Sequence, residues 1–485
     1  MTAAAAALRP TVPPLPDGLV VVVKRECETC RMVVPVLAQL PGLTVVTQDD
    51  PGFPEGIAGV RHDDDLALSW HHDIETVPTL IKVEGGREVG RTVGWVREQW
   101  EALSGVGGLG PGLPAFRPGC GSLSVDPDLA PELAVRFSGS KLRSRRIEVA
   151  DLEDEMELLF ERGWTDGLPV VPPTERRVLA MLEGTTRDPS EVVAVVPPDL
   201  VPVTVEKVAV NAVMAGCKPE YLPVVLAAVE AACTDTFNIH GVLATTMPVG
   251  PVIIVNGPIR RRIGMNSGVN VFGQGNRANS TIGRALQLVI RNVGGGRPGE
   301  VDRATHGNPG KVSFCFPENE EDSPWEPLSV WRGMEPGADT VTLFPGEGPR
   351  IVVDQLARDP ESLATSFAAA LRANHHPKLV LGFDTILVVG PEHARVFAEA
   401  GWDRQRLLDA LMERLMIPAE ELARGAGGMA EGIKAQPAGR MMPKFRPGGI
   451  FIVHAGGKAG LFSMVIAGWG NGQWGSTPVT RPIRP

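Results

Sequence analysis

The sequence predicts an α/β protein of at least two domains, a small N-terminal one and a larger one built on repeated helix–strand units. Three observations carry this. A β-branched run, Leu19 to Val23, leads into a helical pattern with apolar Met32, Val33, Val36, Leu37 and Leu40. Three long apolar runs, Val249–Pro258, Thr385–Pro391 and Gly449–Gly457, alternate with helical stretches, as strands buried on both faces do in α/β sheets. The chain has 485 residues, more than one compact core holds.

Between the first strand and its helix stand Cys27 and Cys30, three apart. A strand that delivers a C-x-x-C to the first turn of a helix is a redox arrangement. The helix N-terminus carries partial positive charge and favours a thiolate at the first cysteine. Cys27 therefore reads as the exposed attacking thiol and Cys30 as the resolving one. No second C-x-x-C or C-x-x-H occurs, which disfavours half of a zinc site, so no metal is assigned.

Composition bounds the rest. Hydrophobic residues make up 43% and charged ones 21%, enough apolar content for a large core. A net charge of −10 argues against nucleic acid or an anionic membrane as partner. No run of 18 apolar residues occurs, so no membrane span is expected. Residues 1–16 combine an alanine tract with prolines and read as a disordered lead-in. Six cysteines without a dense framework fit a reducing cytoplasm.

The N-terminal domain is expected to cover 17–104. A Gly/Pro-rich linker, 105–122, should follow and carry Cys120 between Gly119 and Gly121. The large domain is expected over 123–485. A helix opening Pro219-Glu220 before one strand, and another opening Pro360-Glu361 before the next, suggest duplicated halves, 150–345 and 346–485. An acidic amphipathic helix is expected from Asp151 to Arg162, with Leu152 on its apolar side.

Several stretches of the large domain are candidates for chemistry. Gly163 to Thr174 is a Pro/Gly-stiffened loop bearing Thr165 and Asp166. Asn266 and Ser267, then Gly273, Gly275, Asn276 and Arg277, precede a helix with Ile282, Ala285, Leu286, Val289, Ile290 and Val293 on one face. A glycine-rich loop before a helix N-terminus suits an anion, with Arg277 holding it. The string also matches a dinucleotide loop formally, but no strong strand enters it. His306 lies on a turn-rich loop and could move a proton. Lys311 to Phe316 alternates, placing Cys315 away from Phe314 and Phe316, so Cys315 need not be in the core. Cys217 follows a helix C-terminus and reads as structural, and Cys233 as a core thiol. The acidic run Glu318 to Asp322 reads as a solvated face.

Two resemblances add to this. Residues 17–104 resemble the thioredoxin family through Cys27-Glu28-Thr29-Cys30, Thr76-Val77-Pro78-Thr79-Leu80, a hairpin with Gly85-Gly86 at its turn, Gly94-Trp95, and a closing helix to Leu103. The resemblance implies a cis Pro78 set against the C-x-x-C. The chain departs from it in having Glu26 where the family has tryptophan, and Glu28-Thr29 where it has Gly-Pro. Acidic neighbours raise a thiol pKa, so a more reducing pair with a dedicated partner is expected. The large domain resembles the bacterial UGSC (seleno)protein family at 118–122, 163–174, 214–231 and 275–285. That resemblance implies a redox position at Cys120. Leu123 stands where the motif has a cysteine, leaving Cys120 without an adjacent resolving thiol and giving the C-x-x-C a task.

Taken together, these readings describe a cytoplasmic thiol-dependent oxidoreductase acting on a small, anionic substrate. Cys120 or Cys315 would react with it and Cys27–Cys30 would recycle the thiol. No cofactor is required beyond the redox disulfide, with electrons from thioredoxin reductase or a low-molecular-weight thiol. The chain leaves room for a homo-oligomer. Two rival readings remain: an enzyme making or breaking C–S bonds with the same thiols, and a non-catalytic redox-sensing adaptor.

Overall fold

A computed structural model describes residues 12–137, 142–145, 147, 149 and 154–485. Most of the lead-in, and both Asp151 and Leu152 of the expected acidic helix, lie outside them. The chain divides into two compact units, Met1–Lys141 and Leu142–Pro485, and both mix helices and strands.

The first unit runs β1 (Gly18–Val23), α1 (Glu28–Leu37), β2 (Thr44–Thr47), β3 (Arg61–His62), α2 (Ala67–His71), β4 (Thr76–Val77), β5 (Thr79–Glu84), β6 (Arg87–Val93), β7 (Trp95–Val96), α3 (Arg97–Ser104), β8 (Phe116–Arg117), β9 (Cys120–Gly121) and α4 (Ala130–Phe137). Its main sheet has the order β3-β2-β1-β5-β6. The central strand β1 is parallel to β2 and antiparallel to β5. Val20 to Val23 are fully buried because this strand has neighbours on both edges and helices over its faces. The Val77–Pro78 peptide is cis.

Two boundaries differ from the sequence reading. The end of the lead-in is packed: Leu15 belongs to the core, and His72 Nε2 donates to Pro13 O at 2.7 Å. The segment from 105 is no linker. Leu109 is buried, Arg97 donates to Gly110 O at 2.9 Å and also to Leu113 O, and Trp95 Nε1 donates to Pro114 O at 2.7 Å. The glycines here serve a close-packed path, and the chain stays on this unit past Cys120.

The second unit continues with α5 (Glu155–Glu161), α6 (Glu175–Leu182), β10 (Val192–Val196), β11 (Val201–Thr204), α7 (Val205–Ala215), α8 (Leu222–Ala232), α9 (Ile239–Ala244), β12 (Gly250–Asn256), α10 (Ile259–Arg262), α11 (Arg277–Asn292), β13 (Cys315–Pro317), α12 (Leu328–Trp331), β14 (Thr340–Gly346) and β15 (Arg350–Val353). Then come α13 (Pro360–Arg372), β16 (Phe383–Val389), α14 (Pro391–Glu399), α15 (Arg404–Arg414), β17 (Met416–Pro418), α16 (Ala419–Leu422), β18 (Met441–Pro443), β19 (Ile450–His454), β20 (Phe462–Gly470) and β21 (Val479–Pro482).

The large sheet has the order β13-β12-β14-β20-β16-β19. β12 lies between parallel β13 and antiparallel β14, and β16 between parallel β19 and antiparallel β20. β15, which follows β14, pairs with β20. β21, which follows β20, pairs with β14. Alternation along the strands fills two faces. Ile253, Val255, Val341 and Leu343 pack under α7, α8 and α11. Leu387, Val389, Ile450 and Ile452 pack under α13, α14 and α15. The opposite faces of both halves share one inner core, with Val252, Ile254, Ile386, Val388 and Val453. The sheet curls over that core: the Phe344 and Phe451 rings, on β14 and β19, stand 5.9 Å apart. The apolar strands are thus buried on both faces, as their sequence demands.

Candidate functional site

The site with reactive geometry is on the first unit. Cys27 is the N-cap of α1, and its sulfur accepts from the Cys30 N–H at 3.2 Å. When protonated, it donates to Val77 O at 3.4 Å. Val77 precedes the cis peptide to Pro78. Across Val77 lies Cys120, its partner in the β4–β9 antiparallel pair. The three thiols Cys27, Cys30 and Cys120 form one cluster.

Their ionisation differs sharply. The Cys30 thiol donates to the Cys27 sulfur and stabilises its thiolate, burial opposes this, and the Cys120 thiol and the backbone N–H groups of both add to the lowering. The Cys27 thiol is pulled down to about 5. Burial, then donation to Cys27, pushes Cys30 far up. The same two causes raise Cys120. One thiolate held by two thiols is a charge-assisted arrangement.

Two expectations are corrected here. Cys27 is fully buried, as is Cys30, and the half-exposed member is Cys120. The reason is β9, which lies against β4 over the C-x-x-C. The acidic neighbours do not raise Cys27 either. Glu28 turns to the Arg117 guanidinium, and the groups acting most on Cys27 are the other two thiols.

In the second unit, the expected substrate groups are held by the protein itself. Thr165 is buried, and its hydroxyl accepts from Gly167 N at 3.2 Å. Asp166 forms a two-pronged pair with Arg284, at 2.7 and 2.8 Å. Burial works against that carboxylate, yet the Arg284 hydrogen bonds win and hold it below its usual range. Asn266 bridges its own loop through Gly268 N and Val269 O, and Ser267 O accepts from Gly456 N. Gly273 and Gly275 are exposed, Gly275 at φ +111°. Asn276 caps α11 through Asn279 N at 3.0 Å. Arg277 donates to Gly216 O at 2.8 Å and Cys217 O at 3.4 Å, closing the C-terminus of α7. His306 is exposed. The loop before α11 is a helix-capping junction, which is why it holds so many polar residues.

Cys315 is corrected as well. β13 is buried on both faces, so the side opposite Phe314 and Phe316 is also core. Burial pushes the Cys315 thiol up, and Cys217 up to about 12, far from thiolate character at neutral pH. The acidic run is solvated only at its end, where Glu321 and Asp322 are exposed. Glu318 is fully buried, accepting from Asn256 Nδ2 and Leu328 N, each at 2.7 Å, and Arg260 pairs with Glu320 and Glu321. Burial raises the Glu318 carboxyl despite Arg404, 3.9 Å away.

Sequence reasoning missed Arg284 and Gln48. It also missed a cavity of about 770 Å³ in the second unit, lined by Trp164, Val178, Lys207, Asn211, Met214 and Asn292 among others. None of the nine expected substrate or proton-transfer residues of that unit lines it. Among the described residues, no cluster of His, Cys, Asp and Glu suits a metal ion, and no helix is long and apolar enough to cross a membrane. Compared with protein families, curated proteins and solved structures, the chain matches none.

Proposed function

We propose that the protein is a thiol-dependent oxidoreductase whose first unit is a thioredoxin-like domain with a third, built-in thiol. The observation that carries this reading is the placement of Cys120 directly across from Val77, whose carbonyl oxygen lies 3.4 Å from the Cys27 sulfur on the same unit. Cys120 is the thiol a substrate reaches. Cys27 is the low-pKa thiol that takes its place, and Cys30 resolves.

The steps balance for a small disulfide as substrate. The Cys120 thiol passes its proton to the Cys27 thiolate and attacks one substrate sulfur. The other substrate sulfur leaves as a thiolate. Cys27 gives its proton to that leaving group and attacks the Cys120 sulfur, releasing the second substrate thiolate and forming a Cys27–Cys120 disulfide. Cys30 then attacks Cys27, freeing Cys120 and leaving Cys27–Cys30 oxidised, with its proton going to the second thiolate. Two electrons have passed to the substrate. An external dithiol or low-molecular-weight thiol returns them, and no further cofactor is needed. A C–S lyase or transferase would have no use for a resolving thiol beside Cys27, so net reduction is the favoured reading.

The matching connectivity around β12 and β16, and the exchange of β15 and β21 between the halves, support an internal duplication in the second unit. The redox position implied by the resemblance to the UGSC (seleno)protein family falls on the cysteine that the geometry favours.

The test is stoichiometric. Fully reduced protein, freed of reductant, is mixed with excess cystine, and the remaining thiols are counted and mapped. Loss of two thiols, with Cys27 joined to Cys30 and Cys120 free, supports the cycle. Loss of none, or oxidation that leaves the first unit reduced, rejects it.

A further inference from the structure

A three-thiol cluster still has to be reached. An extended polypeptide approaches a buried sulfur most readily by adding a strand to a nearby sheet edge, where backbone hydrogen bonds hold it. Beside Cys27 that edge is β4, and it is already taken. β9 pairs antiparallel with it, Val77 opposite Cys120 and Thr76 opposite Gly121. The chain's own segment Arg117–Ser124 thus lies where a docked cysteine peptide would lie.

The segment is firmly held. Thr29 Oγ1 donates to Pro118 O at 2.6 Å, and Ser122 N donates to Glu75 O at 3.0 Å. Gln48, buried in the unit, donates to Ser122 Oγ at 2.6 Å and Ser69 Oγ at 2.8 Å and accepts from Leu123 N at 3.1 Å. Ser69 donates in turn to Asp63 Oδ2 at 2.6 Å, and Ser124 Oγ donates to Ile74 O at 2.5 Å. All five of these side chains are buried, and a satisfied buried network fixes one arrangement. Gly119 lies so close to β4 that a Cβ there would run into Thr76 Cγ2 and Val77 O.

We infer that this self-docked strand closes the Cys27–Cys30 pair to polypeptide disulfides, restricts the substrate to small disulfides that reach Cys120, and makes Gln48 the positioning residue that holds Cys120 over Cys27. The inference rests on the reading proposed above and adds the substrate class. Small molecules need only the half-exposed Cys120 sulfur. A protein disulfide would need the β4 edge or the buried Cys27.

The test uses the full-length reduced protein, freed of reductant, with cystine as the small probe and insulin as the polypeptide one. Wild type should lose two thiols to cystine and stay reduced with insulin over the same time. Gly119→Ala pushes the strand from β4, and Gln48→Met keeps the volume while removing three hydrogen bonds. Each variant should be oxidised by insulin at least about tenfold faster than wild type, the factor expected from losing a single anchoring hydrogen bond and so a lower bound for Gln48→Met. Thermal midpoints measured alongside show that both variants are folded. Wild type oxidised by insulin as fast as by cystine would overturn the inference. So would folded variants with no gain towards insulin. If a Cys30→Ser variant still joins Cys27 to Cys120 while insulin oxidises wild type, the relay stands and the closure falls. If cystine leaves wild type reduced, the relay falls and takes the closure with it.

Discussion

Val77 and Cys120 face each other across two short antiparallel strands, and Val77 O lies 3.4 Å from the Cys27 sulfur. One backbone position therefore sets both the strand that carries the accessible thiol and the thiol that follows it. This relationship puts a third thiol beside the C-x-x-C pair within one unit.

The first prediction concerns pH. The Cys27 thiol is held at about 5 by donation from Cys30 and Cys120, against about 8.5 in an unfolded chain. An acidic group lowered on folding stabilises the fold fully above its unfolded pKa, and that stabilisation is lost as pH falls through the folded value. Between pH 9 and 5 the reduced wild type should lose stability that a Cys27→Ser variant never had. Denaturant midpoints across that range measure the difference, and thiolate absorbance should fall away with a midpoint near 5. Parallel curves for the two proteins would contradict the assignment.

The second prediction concerns Arg277. Its guanidinium caps the C-terminus of α7 through Gly216 O and Cys217 O. Arg277→Ala should cost about 0.5–1 kcal/mol of stability, in line with an exposed helix-end interaction. The rate of oxidation by cystine should be unchanged. A slowed reaction at unchanged stability would return this loop to the site.

The third prediction concerns Cys315. The thiol packs with Cys217 and the apolar face of α11, so Cys315→Ser puts a hydroxyl into the core. The expected cost is about 1–3 kcal/mol, read from urea midpoints, with the thiol count lost to cystine still two. Loss of the reaction in a folded variant would make Cys315 a participant.

Local pattern was legible where one element decides it. The strand at Leu19–Val23 and the apolar face of α11 each follow from periodicity, and the structure contains them. Long-range contacts were not legible. The 105–122 stretch has the glycine and proline content of a linker, yet its glycines permit close approach to β4, as Gly119 shows. Asp166 gives no sign in sequence that Arg284, 118 residues on, will claim it. Charge clustering misled at Glu318, because burial there depends on Asn256 and Arg404 from distant elements. In the candidate site, the C-x-x-C spacing pointed to the chemistry. The accessible thiol was set by β9, a pairing of two residues with no periodicity to detect.

The most direct test of the relay is a trap. In a Cys30→Ser variant the resolving thiol is gone, so mild oxidation should stop at the Cys27–Cys120 disulfide. Non-reducing digestion and mass spectrometry of the full-length protein should then find one peptide carrying that link, and reduction should remove it. Cys27 joined only to a second chain or to Cys315, with Cys120 free, would contradict the account.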